Sequence, residues 1–209
     1  MNKVNLLRLQ PISQQIQELI KFYSSLGERF DLFYTVEKGT FVTGSIKHIY
    51  TALDQLKNNF KLISELDTFF DAGSGDGRIC ALASLMGLQS YGIEYHELIA
   101  NGSIENINQL QTKGIIKDQK TKPIIVKGDF LEENSYSRLG IKFEEISIFY
   151  NFVTYHENLA EKIINQSPKG TKFILHSPCP ISFSPKGMKL VRELPLSGIY
   201  HVLYVFQKI

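Results

Sequence analysis

The chain has 209 residues, is 43% hydrophobic and carries a formal net charge of +2, which is enough apolar material for one domain with a complete core. So small a charge does not by itself indicate a nucleic-acid or membrane partner, and the two cysteines, Cys80 and Cys179, lack metal-type spacing and predict reduced thiols. No stretch reaches the roughly 18 apolar residues of a membrane span, and the first apolar run is too short for a signal peptide, so we expect a soluble cytoplasmic protein.

The N-terminal third of the chain is predicted to be helical. Apolar residues recur at helical spacing between Ser13, a residue typical of helix caps, and Tyr23, and a second such stripe follows Ser45. Between the two stripes the pattern is mixed and predicts irregular structure. We therefore expect an N-terminal helical segment, 1–66, ahead of a core, 67–209.

Beyond the N-terminal segment, short apolar runs alternate with helical stretches. The predicted strands are TFFDA, SYGIE, IIVKG, ISIFYNF, KFILHSP, MKLVREL and YHVLYVF, and the predicted helices lie at 78–86, 97–111, 130–139 and 157–166. Such alternation predicts an α/β fold with a parallel, doubly wound sheet. Only PLSG joins the last two strands, which is too short for a helical crossover, so they predict an antiparallel hairpin. The sequence thus predicts a Rossmann-like, mostly parallel seven-stranded sheet that ends in an antiparallel hairpin, with helices on both faces.

Three glycines separate the first core strand from its helix, in FDAGSGDGRI. In such a sheet this loop lies at the carboxyl edge, where ligands bind. The spacing Asp71-x-Gly73-x-Gly75-x-Gly77 differs from the dinucleotide fingerprint, and the P-loop pattern is absent. A preceding carboxylate suits a ligand with positive charge near the glycines, and S-adenosylmethionine has such charge in its sulfonium and amino groups. The alternative interpretation of the glycines is a tight turn.

The next two strands also end in acidic residues. Glu94 ends YGIE, where a carboxylate can accept both ribose hydroxyls, and Asp129 and Phe130 follow the third strand in KGDF. Asp129 can accept from the adenine amino group while Phe130 packs on the ring. Taken singly, Glu94 is also explained as a solvated residue before a helix, and Asp129 as a helix N-cap. Acidic residues at three successive strand ends favour S-adenosylmethionine as the cofactor.

DAGSGDGRI, YGIE and GDFLEE resemble the motifs of class I S-adenosylmethionine-dependent methyltransferases. The stretch IFYNFVTYHENLAEKIINQSPKGTKFILHSP is similar to the matching region of non-SET histone lysine methyltransferases of the disruptor-of-telomeric-silencing type. The motif GSGDGRI is closer to the corresponding motif of related archaeal and mitochondrial protein-lysine methyltransferases. The resemblance covers residues 40–209, and it implies a class I methyltransferase fold and methyl transfer to a lysine amine of another protein.

The resemblance also implies roles for particular residues. Asn151 matches an acceptor-side asparagine, Tyr204 matches a channel tyrosine, and the loop TFVTGS resembles a loop that covers the cofactor, with Thr43 facing its methionine end. A lysine amine must arrive neutral and desolvated, which an apolar channel favours by lowering its pKa. Aromatic side chains such as Phe149 and Tyr155 would line such a channel; the alternative is that they belong to the core.

The chain departs from the histone-methylating pattern in two ways. Phe152 stands where the family has a second asparagine, and no strongly basic tail is present, so a nucleosome is not the expected substrate. The D/N-P-P-Y signature of nucleic-acid amino-methyltransferases is also absent, which leaves no strong nucleic-acid signal.

Further alternatives remain for the reaction. His156 and His176 follow strand ends, either as general bases for an oxygen acceptor or as satisfied residues at a pocket rim. No His, Asp and Glu cluster has metal-ligand spacing, so no catalytic metal is expected. A small-molecule methyltransferase and a non-catalytic S-adenosylmethionine-binding domain are the competing functions, and neither the oligomeric state nor the degree of methylation follows from the sequence.

Overall fold

A computed structural model of the chain describes residues 12–26, 35–36, 39–40, 44–196 and 200–209. The helices are α1 (Gln14–Ser25), α2 (Ile46–Asp54), α3 (Arg78–Leu85), α4 (Glu97–Thr112), α5 (Glu133–Leu139) and α6 (His156–Gln166). The strands are β1 (Thr35–Val36), β2 (Gly39–Thr40), β3 (Thr68–Ala72), β4 (Gln89–Glu94), β5 (Ile124–Lys127), β6 (Ile148–Phe152), β7 (Lys172–Ser177), β8 (Met188–Pro195) and β9 (Val202–Lys208). Among these helices, none combines the length and apolar character needed to cross a bilayer.

Seven of the described strands form one sheet in the order β5-β4-β3-β6-β7-β9-β8. The five strands β3 to β7 pair in parallel, and β9 pairs antiparallel with both β7 and β8. The predicted fold is therefore confirmed, including the C-terminal hairpin. Within that hairpin β8 runs in the same direction as the parallel strands, so β9 is the reversed strand of this sheet.

Two predicted segments differ most from the observed structure. Helix α5 begins at Glu133 rather than at residue 130, because the side chain of Asp129 accepts a hydrogen bond from the amide of Leu131 and holds a turn before the helix. In the stretch expected to be irregular, Thr35–Val36 and Gly39–Thr40 pair as a short antiparallel ladder.

The sheet has an apolar cluster on each face. Phe69 belongs to one cluster and its neighbour Phe70 to the other, as successive residues of a strand must when both faces are covered. Residues of α1, α2, α3 and α4 contribute to the first cluster, and residues of α5 and α6 to the second. Helices thus cover both faces, as predicted.

The N-terminal helices are integrated into this core. The predicted cap is confirmed, since the Ser13 hydroxyl accepts from the amide of Ile16 at 3.3 Å. Leu19 of α1 and Leu53 of α2 are fully buried in the same cluster as Ile79 of α3. The two helices therefore stabilise the sheet directly, on the face against which α3 packs.

Candidate active site

The glycine loop between β3 and α3 adopts a backbone that L-residues with side chains disfavour. Gly73, Gly75 and Gly77 have φ of 83°, 54° and 83°, which explains why glycines stand there. A Cβ on Gly77 would also approach the Ile125 side chain to 2.9 Å. The amides of Gly73 and Ser74 both donate to the carbonyl of Ile93 at 3.0 Å. The loop is thus folded against the end of β4, at the carboxyl edge of the sheet.

Asp71, at the end of β3, is a buried carboxylate close to this loop. Its side chain is 3% exposed, and burial raises its pKa well above the ordinary value, with Glu94 and Asp76 adding repulsion. Its one contact at hydrogen-bond range is the thiol of Cys80 at 3.9 Å, and no lysine or arginine of the described ranges pairs with it. A buried carboxylate without a cation is costly, so the position suits a positively charged ligand group.

Glu94 joins the end of β4 to the glycine loop. Its Oε2 accepts from the amide of Gly75 and its Oε1 from the amide of His96, each at 2.9 Å. Burial raises the pKa of Glu94, although these main-chain bonds oppose the rise. Each carboxylate oxygen has a second lone pair, so the residue can hold the loop and still accept from ribose hydroxyls.

The adenine-side candidates lie after β5. Asp129 is half-buried and its Oδ1 accepts from Leu131 at 2.9 Å, which makes it the cap of a turn rather than the N-cap of α5, a position held by Glu132. Phe130 is buried in the second apolar cluster, and its carbonyl accepts from the Tyr136 hydroxyl. Asp129 therefore lies at the edge with Glu94, whereas the Phe130 ring also serves the core.

Asn151 lies near the end of β6, directly beside β3. Its Nδ2 donates to the carbonyl of Ala72 at 2.8 Å, while its Oδ1 is buried without a hydrogen-bond partner among the described residues. The side chain is 1% exposed. A buried carbonyl oxygen without a donor costs about 1–3 kcal/mol, so Asn151 presents a fixed, unsatisfied acceptor next to the glycine loop.

The backbone is strained at two positions shortly after Asn151. Val153 and Tyr155 have φ of 32° and 50°, and for a β-branched residue such as Val153 a positive φ is an outlier. Strain of this kind persists where the surrounding structure over-determines the backbone, and it clusters at functional sites. Periodicity in the sequence carries no signal for it, because neither residue is a glycine.

Of the residues proposed for the channel, some lie at the edge of the sheet and others lie in the core. Phe149 is fully buried, with its ring 5.6 Å from Phe70 and 4.7 Å from Phe143. Tyr204 pairs in register with Leu175, which pairs with Asn151, so it lies two strands from Asn151 with a leucine between. The Tyr204 hydroxyl accepts from the amide of Ile181 at 3.3 Å. Tyr155 is 41% exposed, just beyond the end of β6.

His176, predicted near a strand end, is the next-to-last residue of β7 and is fully buried. Its Nδ1 is 2.7 Å from the Tyr150 hydroxyl and its Nε2 is 2.9 Å from Nδ1 of His201. Burial, reinforced by His201, lowers the pKa of His176 to about 3, so it is neutral at physiological pH. His201 was not singled out by the sequence. The ring of His156, at the start of α6, packs edge-on against Phe183.

Two further expectations concern the N-terminal loop and metals. Thr43 lies outside the described residues, and Ser45 is exposed and makes no side-chain capping bond to α2. Within the described ranges, no group of three or more His, Cys, Asp and Glu side chains is arranged to hold a metal ion.

No protein-family model matches the chain, and no curated protein matches its sequence. Solved structures, in contrast, match its fold. An O-methyltransferase from Bacillus cereus in complex with S-adenosylhomocysteine has a TM-score of 0.61 and 13% identity over 97% of this chain and 94% of its own. An RNA methyltransferase from Salinibacter ruber in complex with S-adenosyl-L-homocysteine has a TM-score of 0.58 and 20% identity over 80% and 94%.

A mutant of MtNAS in complex with S-adenosylmethionine aligns with a TM-score of 0.60 and 15% identity over 93% of this chain and 70% of its own. At 13–20% identity these three likenesses concern the fold, which in this chain is the seven-stranded sheet with its reversed strand β9. The chain has the Rossmann-like fold of class I methyltransferases.

Proposed function

We propose that the protein is an S-adenosylmethionine-dependent methyltransferase that transfers a methyl group to an amine nitrogen, most specifically to the side chain of a protein lysine. The observation that carries this proposal is that two buried side chains beside the glycine loop lack the partner that each would normally have. Among the described residues, Asp71 is a carboxylate without a cation and Asn151 is an amide whose carbonyl oxygen has no donor. One suits the cationic cofactor and the other suits an N–H donor.

The cofactor lies along the carboxyl edge from β3 to β5. Asp71 would hold the amino group of the methionine part, Glu94 would accept from the ribose hydroxyls, and Asp129 would accept from the adenine amino group, with Phe130 beside the ring. The loop formed by the three glycines passes beneath the ligand, where backbone without side chains allows close approach. The edge at which these strands end is the general ligand position of open α/β sheets, and the solved neighbours that bind S-adenosylmethionine or its product support this choice.

The acceptor approaches from the side of β6. Bound S-adenosylmethionine supplies an electrophilic methyl carbon on a sulfonium. The work left to the protein is to hold a neutral amine in line with that carbon. The Asn151 Oδ1 accepts a hydrogen bond from an amine N–H, which aligns the nitrogen lone pair, and its Nδ2 is anchored on Ala72. An amide oxygen cannot remove a proton, so the amine must lose its proton before transfer.

A protein lysine is preferred over other amines because of the residues that follow Asn151 and because of the resemblance to protein-lysine methyltransferases. Phe152 is half-buried, with its ring 4.6 Å from His176, and Tyr155 is exposed at the same edge. Aromatic rings hold an alkylated ammonium by cation–π attraction. In this proposal the loop TFVTGS of the N-terminal segment 1–66, with Thr43, covers the cofactor, and residues 67–209 form the catalytic core, with Tyr204 in the channel wall.

RNA is the second candidate acceptor, and one observation favours it. The Salinibacter ruber RNA methyltransferase aligns over 94% of its own length and 80% of this chain, so nearly all of its structure has a counterpart here. A small-molecule acceptor is the third, as in the O-methyltransferase from Bacillus cereus. The three classes differ in which fraction of a cell lysate receives the methyl group.

The deciding experiment incubates the purified chain with methyl-labelled S-adenosylmethionine and lysate of its own source. Label is expected in protein and, after digestion, on lysine. Asn151→Ala is the paired negative control, and nuclease treatment of the lysate must leave the label in place. Label in nucleic acid or in a small metabolite would replace lysine by that acceptor. Failure to bind S-adenosylhomocysteine in calorimetry would reject the methyltransferase itself.

A further inference from the structure

Asp76 and Arg78 form an ion pair within the segment that connects β3 to α3. The Nε of Arg78 lies 3.0 Å from both carboxylate oxygens of Asp76, and its Nη2 lies 2.5 Å from Oδ2. Asp76 is 2% exposed and the Arg78 side chain 19%. Because a planar guanidinium that donates twice to one carboxylate is fixed in orientation as well as in distance, this pair defines the shape of the loop after Gly75.

The same pair receives contacts from three other parts of the molecule. Arg78 Nη1 donates to the carbonyl of Gly44 at 3.4 Å, directly before α2, and its guanidinium lies over the Tyr23 ring of α1 at 5.1 Å. The Tyr23 hydroxyl and the Asn106 amide of α4 both donate to the main-chain carbonyl of Asp76, at 3.3 Å and 3.1 Å. The loop is therefore linked to α1, α2 and α4.

We propose that Arg78 is a positioning residue that couples the glycine loop to the start of α2. The inference rests on the proposed function, since it takes the glycine loop as the cofactor site. Arg78 uses Nε and Nη2 for Asp76 and keeps Nη1 for Gly44, so the position of Gly44 depends on the position of the loop. A ligand that restricts the loop restricts Asp76, and through the guanidinium it restricts Gly44 and the first turn of α2.

The geometry requires arginine rather than any cation. A lysine ammonium can neutralise Asp76 as a point charge, but it has no rigid fork with which to hold Asp76 and Gly44 together. Arg78→Lys thus separates the coupling from simple charge compensation. A second variant, Asp76→Asn with Arg78→Gln, removes both charges at once, so no carboxylate is left buried without a partner.

The test is hydrogen exchange of the full chain with and without S-adenosylhomocysteine, read in the peptide that covers residues 44–54. In the unchanged chain we expect ligand to slow exchange in this peptide about fivefold, the lower end of typical coupling between sites. Arg78→Lys and the double variant should bind the ligand and protect the glycine loop, yet lose most of the protection at 44–54. Arg138→Gln, an exposed arginine on α5, is the matched control and should keep it.

Thermal unfolding without ligand shows that each variant is folded before exchange is compared. Protection at 44–54 that persists in both Arg78→Lys and the double variant would overturn the coupling, as would its absence in the unchanged chain despite measured binding. If the unchanged chain does not bind S-adenosylhomocysteine in calorimetry, the failure lies with the proposed cofactor site, and this inference falls with it.

Discussion

At the scale of single residues, the proposed role of Asn151 is to align the methyl acceptor. Asn151→Ala removes the buried, unsatisfied oxygen and the alignment it offers to an acceptor. Since that alignment acts mainly in the transition state, we expect kcat to fall about 100-fold, a typical cost for one preorganised group, while the Kd for S-adenosylhomocysteine stays nearly constant. Steady-state kinetics and calorimetry measure the two effects.

The control for Asn151→Ala is Asn134→Ala. Asn134 is an exposed asparagine on α5, and its substitution should change neither kcat nor the Kd for S-adenosylhomocysteine. Equal losses in turnover and in cofactor affinity for Asn151→Ala would contradict an acceptor-side role and place the residue in the cofactor site instead.

For Glu94 we predict the opposite result, a loss of cofactor affinity. In Glu94→Gln one carboxylate oxygen becomes an NH₂ group, which cannot accept from Gly75 or His96. The ribose hydroxyls also lose a charged acceptor, so we expect S-adenosylmethionine binding to weaken by about 1–3 kcal/mol. Calorimetry measures the loss, with Glu97→Gln, an exposed residue at the start of α4, as the comparison. Unchanged affinity would mean that Glu94 serves the loop alone.

At the scale of elements, the packing of α1 in the core predicts how much this helix stabilises the protein. Leu19 is fully buried in the cluster shared with α3, so Leu19→Ala should lower the free energy of unfolding by about 2–5 kcal/mol. Gln17→Ala, on the exposed side of the same helix, should have little effect. Urea denaturation measures both, and a loss below about 1 kcal/mol for Leu19→Ala would mean that α1 folds independently of the sheet.

At the scale of the whole molecule, the lowered pKa of His176 predicts how the free energy of unfolding depends on pH. Its pKa is about 3 in the folded protein against 6.5 ordinarily. Below pH 6.5 the unfolded chain binds a proton that the folded chain does not, so the stability present at neutral pH is lost as the pH falls. Between pH 7.5 and 5.5 we expect this histidine to lower the free energy of unfolding by about 1.4 kcal/mol.

Urea unfolding of His176→Gln at the two pH values isolates this effect. Glutamine can still accept from Tyr150 and donate to His201, but it does not titrate, so the pH difference should shrink by about that amount. An undiminished difference in His176→Gln would assign the pH dependence to other groups.

Most of the architecture could be predicted because it depends on local patterns. The alternation of apolar runs and helical stripes places strands and helices to within a few residues, and the short PLSG connection requires a hairpin. The positive φ of Gly73, Gly75 and Gly77 follows from the same local logic, as does the cap at Ser13. The start of α5 was placed too early, since an aspartate before a helix does not reveal which turn it caps.

The sequence by itself determined the order of the elements, the glycine loop and the acidic residues at the strand ends. These features favour S-adenosylmethionine, and the solved neighbours bind this molecule or S-adenosylhomocysteine. Each of these features is recognised from residues that lie close together in the sequence. Only the tertiary structure decided which side chains are buried without partners and which distant residues meet. Asn151 lies beside Ala72 because β3 and β6 are adjacent, and His176 meets Tyr150 and His201 because β7 lies between β6 and β9. Such contacts arise from the order and register of strands that are far apart in the chain, which local periodicity does not encode.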